Sequence, residues 1–187
     1  MLITHYADLA PGSGRILLEV YGRILMVVHL TAKAGLPVVV DWPMMKDQRG
    51  GFGPVMRLLG EQDAVERCLG CLSPLVTAGL VIKLSGTEPV PADATFTYGY
   101  RRSRKADKGS PSHLRRLERR ALARGEPSQD ISCDWIQARY AVPMQSRTSG
   151  QNFHLFIKRV PAASLTEGNP CSYGLGVLIP RFDGRGA

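Results

Sequence analysis

The chain has 187 residues, 44% of them hydrophobic and 21% charged, which bounds it to one domain or two small lobes around a core and excludes wholesale disorder. It has no internal repeat and no low-complexity tract, which removes solenoids and fibrous folds. The net charge of +8 is uneven: eight Lys plus Arg face nine Asp plus Glu in residues 1–94, and sixteen face seven in residues 95–187, so the excess points to a polyanion held by the second half.

Leu2 to Leu9 alternates weakly and is a predicted strand, followed by a turn at Pro11-Gly12-Ser13. Arg15 to Lys33 carries Leu17, Leu18, Tyr21, Ile24, Leu25 and Val28 at helical spacing. Gly22 weakens this long helix and Gly35 caps it. Pro37–Trp42 and Pro54–Leu59 are predicted strands separated by the polar, Gly-rich loop Lys46–Gly53. Glu61–Leu72 is a second helix whose end Ser73-Pro74 disturbs, Leu80–Leu84 is a fourth strand, and Pro89–Asp93 is rich in turns. The order is βαββαβ, so residues 1–94 are expected to form a ferredoxin-like domain of an α+β protein, two helices on one face of a four-stranded antiparallel sheet.

Residues 95–187 are expected to form a second domain. In Thr95–Arg104, Phe96, Tyr98 and Tyr100 alternate with Thr97, Gly99 and Arg101, as in a strand. Ser110-Pro111 starts a helix over residues 111–124 and Gly125 ends it. Glu126–Pro143 carries no clear pattern, Asn152–Val160 alternates as a strand, and Cys171–Ile179 is a last short strand.

No apolar run approaches the ~18 residues of a membrane span, and the N-terminus shows no charged start and apolar core of an export signal. Four cysteines in such a chain do not make a disulfide framework. Cys68 and Cys71 form C-x-x-C, but no second pair stands at zinc spacing, and inside a helix they are expected as two small core residues. The expected compartment is the cytoplasm, with no metal and no cofactor.

The basic helix carries the strongest signal. At about 100° per residue, Arg115, Arg116, Arg119, Arg120 and Arg124 share one half of the circumference. Leu114, Leu117, Ala121 and Leu122 share the other, with Glu118 among them. The apolar side is expected to dock on a core. Projecting charges of one sign repel until an anion neutralises them, and arginine forks onto phosphate and stacks on bases. Arg101, Arg102, Arg104, Lys105 and Lys108 lie just upstream. The pattern points to nucleic acid.

Three motifs extend this reading. Arg102-Ser103-Arg104, a linker, and Leu114 to Glu126 form one. Ser146-Arg147-Thr148-Ser149-Gly150-Gln151-Asn152-Phe153-His154-Leu155-Phe156-Ile157 is the second. Ser172-Tyr173-Gly174-Leu175 is the third. Together they resemble the CRISPR-associated repeat-cleaving endoribonucleases of subtype I-F, in order and approximate spacing over nearly the whole chain.

The resemblance implies a metal-independent enzyme that cuts the precursor transcript at the base of each repeat hairpin, keeps the hairpin and joins the guide-RNA surveillance complex with other subunits. It implies that Arg115, Arg116, Arg119 and Arg120 lie along the stem, and that Arg102 and Arg104 read base edges low in it. The family commonly has glutamine where Arg104 stands, which suggests a different base-pair preference. It implies that Thr148, Ser149 and Gln151 belong to the backbone-contacting stretch and that Phe153 stacks under the terminal base pair. The implied catalytic residues are His29, Ser146 and Tyr173. Aligning on Tyr21-Gly22 instead puts Leu25 at the family's histidine position, one turn before His29; aligning on Trp42-Pro43 puts His29 close to that position, with a two-residue deletion. His5, His113 and His154 are read as surface or structural, with His154 the next acid–base candidate. The free protein is expected to be a monomer. The alternative is a hairpin-holding subunit that does not cut, in a defence or a transposon-associated system.

Overall fold

The computed structural model of the chain describes residues 2–12, 17–45, 51–103, 111–125, 140–165 and 168–182. In the first half run β1 (His5–Pro11), α1 (Leu17–Lys33), β2 (Val39–Asp41), β3 (Met56–Gly60), α2 (Gln62–Cys71), α3 (Ser73–Thr77), β4 (Val81–Lys83) and β5 (Glu88–Pro89). Strands β2-β3-β1-β4 pair in that order, all antiparallel. That is the order a βαββαβ chain adopts in the ferredoxin-like arrangement. Two local expectations change. Ser73-Pro74 does more than disturb the end of α2: proline enters the first turn of the separate helix α3, where a missing N–H is harmless. Pro89, expected to open a turn-rich stretch, instead joins Glu88 in a fifth strand against His5 and Tyr6.

The second half contains β6 (Thr95–Arg102), α4 (Pro111–Ala123), β7 (Ala141–Gln145), β8 (Asn152–Pro161) and β9 (Leu178–Arg181). They form a second antiparallel sheet, β7-β8-β6-β9. The last strand starts later than expected, because Gly174 and Gly176 hold the preceding residues in turns. Of the unassigned stretch, Ala141–Pro143 belongs to β7; residues 126–139 lie outside the described residues. A register shift between Phe96 and Tyr98 breaks the β6 alternation. Phe96 is therefore exposed while Tyr98 and Tyr100 are buried.

Helix α1 joins the two sheets. Tyr21, Ile24, Leu25 and Val28 are buried, and Val20, Gly22 and Thr31 widen that face. It packs on α2 and β1 and also on β7. Gly22 permits the second contact: a Cβ there would collide with the Pro143 carbonyl oxygen. The glycine that weakens the helix is thus what lets a strand lie against it.

Polar links join the halves as well. The Asp41 carboxylate, 1% exposed, accepts hydrogen bonds from the Tyr98 hydroxyl (3.1 Å) and the Tyr100 hydroxyl (3.0 Å). Burial raises its pKa and the two tyrosine bonds pull it down. Arg57 donates to Asp8 from Nε (2.7 Å) and Nη2 (2.9 Å), and its guanidinium lies 4.1 Å from the Phe182 ring centroid. One hydrophobic core runs through residues of both halves.

Cys68 is a core residue as expected, with burial pushing its thiol up to about 12. Cys71 is exposed, not core: it ends α2 on the solvent side. Among the described residues no helix is long and apolar enough to cross a membrane. No group of His, Cys, Asp or Glu among them is placed to hold a metal ion.

Candidate nucleic-acid interface

Helix α4 presents Arg115, Arg116, Arg119 and Arg120 to solvent, and Arg124 follows it, also exposed. The expected docking of its apolar side needs correcting. Leu117 and Ala121 are only half-buried, and Leu122 is 73% exposed. Helical periodicity marks an apolar stripe without supplying a partner for it. The Arg119 Nε–H reaches back to the Arg115 carbonyl at 3.4 Å, within one helix turn. Arg104, Lys105 and Lys108 lie outside the described residues, as does the side chain of His113.

Arg102 ends β6 opposite Ile157 of β8, and the next residue, Ser103, donates its N–H to the Phe156 carbonyl at 2.8 Å. The β8 strand thereby holds Arg102 at the sheet end. Its charge acts on Tyr173: burial raises the phenol's pKa, and Arg102 pulls it back.

Tyr173 sits in the turn before β9. Gly174 fixes that turn: its φ of 73° lies in the left-handed region, and a Cβ would press on the Val38 carbonyl oxygen 2.6 Å away. The Gly174 carbonyl accepts the Val40 N–H at 3.1 Å. Clamped against the first sheet in this way, Tyr173 stacks on His29, with ring centroids 4.7 Å apart and planes 18° apart. The structure therefore brings a residue of α1 and one near the C-terminus into contact.

His29 is half-buried, and its Nδ1 is buried with no hydrogen-bond partner among the described residues. An imidazolium needs acceptors for both nitrogens. Desolvation first, and Lys33 second, lower the His29 pKa below its ordinary value, which favours the neutral ring. Lys33 stands at i+4 from His29 on α1. Helical spacing alone could have marked it, and the sequence reading passed over it. Leu25, the other alignment choice, is 0% exposed and part of the core. His154 is exposed on β8, with Phe156 beside it.

Ser146 opens the β7–β8 turn. Its N–H donates to the Gln151 carbonyl and its carbonyl accepts from the Gly150 N–H, both at 2.8 Å. Its Oγ accepts from the Ser149 N–H at 3.3 Å. Thr148, Ser149 and Gln151 are exposed on the same turn, and Phe153 is half-buried at the start of β8. Phe153 faces an open cleft of about 570 Å³ between α1 and this hairpin.

The architecture is that of a basic α+β protein whose second half presents arginines and a hydroxyl-rich turn to solvent. The family described as CRISPR-associated protein (Cas_Csy4) matches residues 9–182, and the chain belongs to this family of CRISPR repeat-cleaving endoribonucleases. Comparison with curated proteins finds no match. Membership carries CRISPR-associated RNA processing and the binding of CRISPR repeat RNA.

Proposed function

We propose that the chain is a metal-independent endoribonuclease of a subtype I-F system that cuts precursor CRISPR RNA at the base of the repeat hairpin. The 2′-hydroxyl beside the scissile phosphate attacks phosphorus and the bond to the 5′-oxygen breaks. The products are a 2′,3′-cyclic phosphate and a 5′-hydroxyl. The protein supplies a held geometry and proton transfer. His29 is the proton-transfer group, Ser146 fixes the ribose, and Tyr173 supports the imidazole. The stacked His29–Tyr173 pair in a member of this family carries the reading. A neutral imidazole can accept the 2′-hydroxyl proton at Nε2, since Nδ1 faces the protein interior.

In this reading residues 95–187 form the hairpin-binding domain and residues 1–94 the ferredoxin-like one. Arg115, Arg116, Arg119 and Arg120 grip stem phosphates. Arg102 and Arg104 read base edges, Thr148, Ser149 and Gln151 contact the backbone, and Phe153 stacks under the last base pair. The free protein is a cytoplasmic monomer that keeps the cut hairpin and joins the surveillance complex with other subunits.

A second reading, a hairpin-holding subunit without cleavage, is favoured by one observation: Leu25, at the histidine position in one alignment, is sealed in the core. The separating experiment is cleavage of the cognate repeat in EDTA, wild type beside His29→Ala, with a 2′-deoxy substrate as control. The nuclease reading expects a cyclic-phosphate end from wild type only, with hairpin affinity of the variant within a few-fold. Tight binding without cutting by either protein establishes the second reading. Full activity in His29→Ala moves the base elsewhere, with His154 next.

A further inference from the structure

The cleft between α1 and the β7–β8 hairpin has a lining unlike a core pocket. Arg23 stands on the helix wall, Arg147 on the hairpin turn, and His154 on β8, all exposed, with the half-buried Phe153 between them. One carboxylate, Glu19, also lines it. Among the described residues that line it, two guanidiniums and one carboxylate leave a net positive charge. Its volume falls in the range of small-ligand sites, roughly 300–1,000 Å³, which admits something of nucleotide size.

Its position along α1 is the second observation. Gly22 and Met26 line the cleft, and His29 follows them at helical spacing on the same face. A strand leaving the His29 position along α1 therefore passes over Met26 and enters between Arg23 and Arg147. Arginine supplies the forked donors that suit a phosphodiester, and a flat imidazole suits stacking on an unpaired base.

We propose that this cleft binds the unpaired RNA on the 3′ side of the cut, the strand that leaves with the 5′-hydroxyl. This rests on the endoribonuclease reading above. Arg23 and Arg147 take a phosphate from opposite walls, and His154 offers its plane to the first flanking base. Phe153 marks where the stem ends and the cleft begins. The site makes the uncut transcript a tighter ligand than the product; once the covalent link is gone, only the cleft's own few contacts hold the downstream piece.

The test is equilibrium binding by fluorescence anisotropy with RNAs made uncleavable by a 2′-deoxy group at the cut. Three are needed: the hairpin alone, the hairpin with a few unpaired 3′ nucleotides, and the hairpin with a few unpaired 5′ nucleotides. For wild type the 3′ flank tightens binding roughly tenfold over the hairpin alone, as expected for two charge-assisted contacts. The Arg23→Ala/Arg147→Ala variant loses that gain and binds the hairpin alone within about twofold of wild type, which also reports that it is folded. An equal gain in the variant, no gain in wild type, or a gain from the 5′ flank in place of the 3′ flank overturns the proposal. Loss of hairpin-alone binding in the variant overturns it too, since the two arginines would then serve the stem. If wild type does not bind the hairpin at all, the function reading itself fails, and this inference falls with it.

Discussion

Replacing Gly22 by alanine sets two effects of opposite sign against each other. Alanine in a helix interior is better than glycine by about 1 kcal/mol. The added Cβ, however, collides with the Pro143 carbonyl oxygen and comes within 3.4 Å of the carbonyl carbon. That carbonyl is backbone of a strand whose residues Pro143 and Met144 pair with His154 and Phe153. The strand cannot retreat without pulling on its ladder, and overpacking of this kind costs about 1–3 kcal/mol. With a backbone atom as obstacle the upper part of that range applies, so Gly22→Ala is expected to destabilise by about 1–2 kcal/mol net. Urea unfolding should show a lower midpoint at unchanged slope. Cleavage should fall further than stability alone explains: a domain with about 5–15 kcal/mol to spare stays folded after such a loss, while α1 and the Ser146 turn are pushed apart. A variant more stable than wild type by about 0.5–1 kcal/mol, as at an ordinary exposed helix glycine, would refute the claim that Gly22 sets this spacing.

Tyr100→Phe removes one of two hydroxyls that bond the buried Asp41 carboxylate and should cost about 1–3 kcal/mol. Asp41 already has a raised pKa, so its contribution to stability falls as pH rises. Losing a bond that lowers this pKa steepens that fall, and thermal melts from about pH 4 to about pH 7 should separate variant from wild type more at the upper end. Lys33→Ala removes one of the two causes that depress His29. The acidic limb of the cleavage–pH profile should move up toward the ordinary histidine range near 6.5 without a loss of hairpin affinity; an unmoved limb would mean that Lys33 does not act on the titrating group. Arg119→Ala and Arg120→Ala should each weaken hairpin binding and flatten its salt dependence by roughly 0.7–0.9 in log–log slope per phosphate contact. Unchanged slopes would contradict a phosphate grip by α4.

The βαββαβ order and the sheet it implies were legible because each element writes its period locally: Tyr21, Ile24, Leu25 and Val28 on α1, and the apolar runs of β2 and β3. What local pattern could not show was pairing across long separations. Asp41 is only a polar strand end in sequence. Its burial depends on Tyr98 and Tyr100, which come 57 and 59 residues later in the chain. Leu122 belongs to the apolar stripe of α4 by spacing yet is exposed. Cys71 shares the C-x-x-C with Cys68 yet faces solvent, since three residues along a helix do not guarantee one environment. At the candidate site, the contact between His29 and Tyr173 joins two residues that only the family resemblance set side by side. Lys33 was readable from spacing, whereas the cleft between α1 and the β7–β8 hairpin exists only once both elements are packed.

The order of strands in the second sheet has a kinetic consequence. Central strand β6 is made before either of its partners: Tyr98 waits for Pro161 on one side and Ile179 on the other. At roughly 5–20 residues per second on the ribosome, that wait lasts on the order of several seconds. During it, the two tyrosines of β6 already have a resting place, because β2 and its Asp41 emerge earlier. The buried carboxylate can thus serve as a foothold that parks an unpaired strand on finished structure until the hairpin that completes the sheet arrives. Long-range ladders of this kind form late, and a variant without the Asp41 anchor would meet that interval with its central strand unattached.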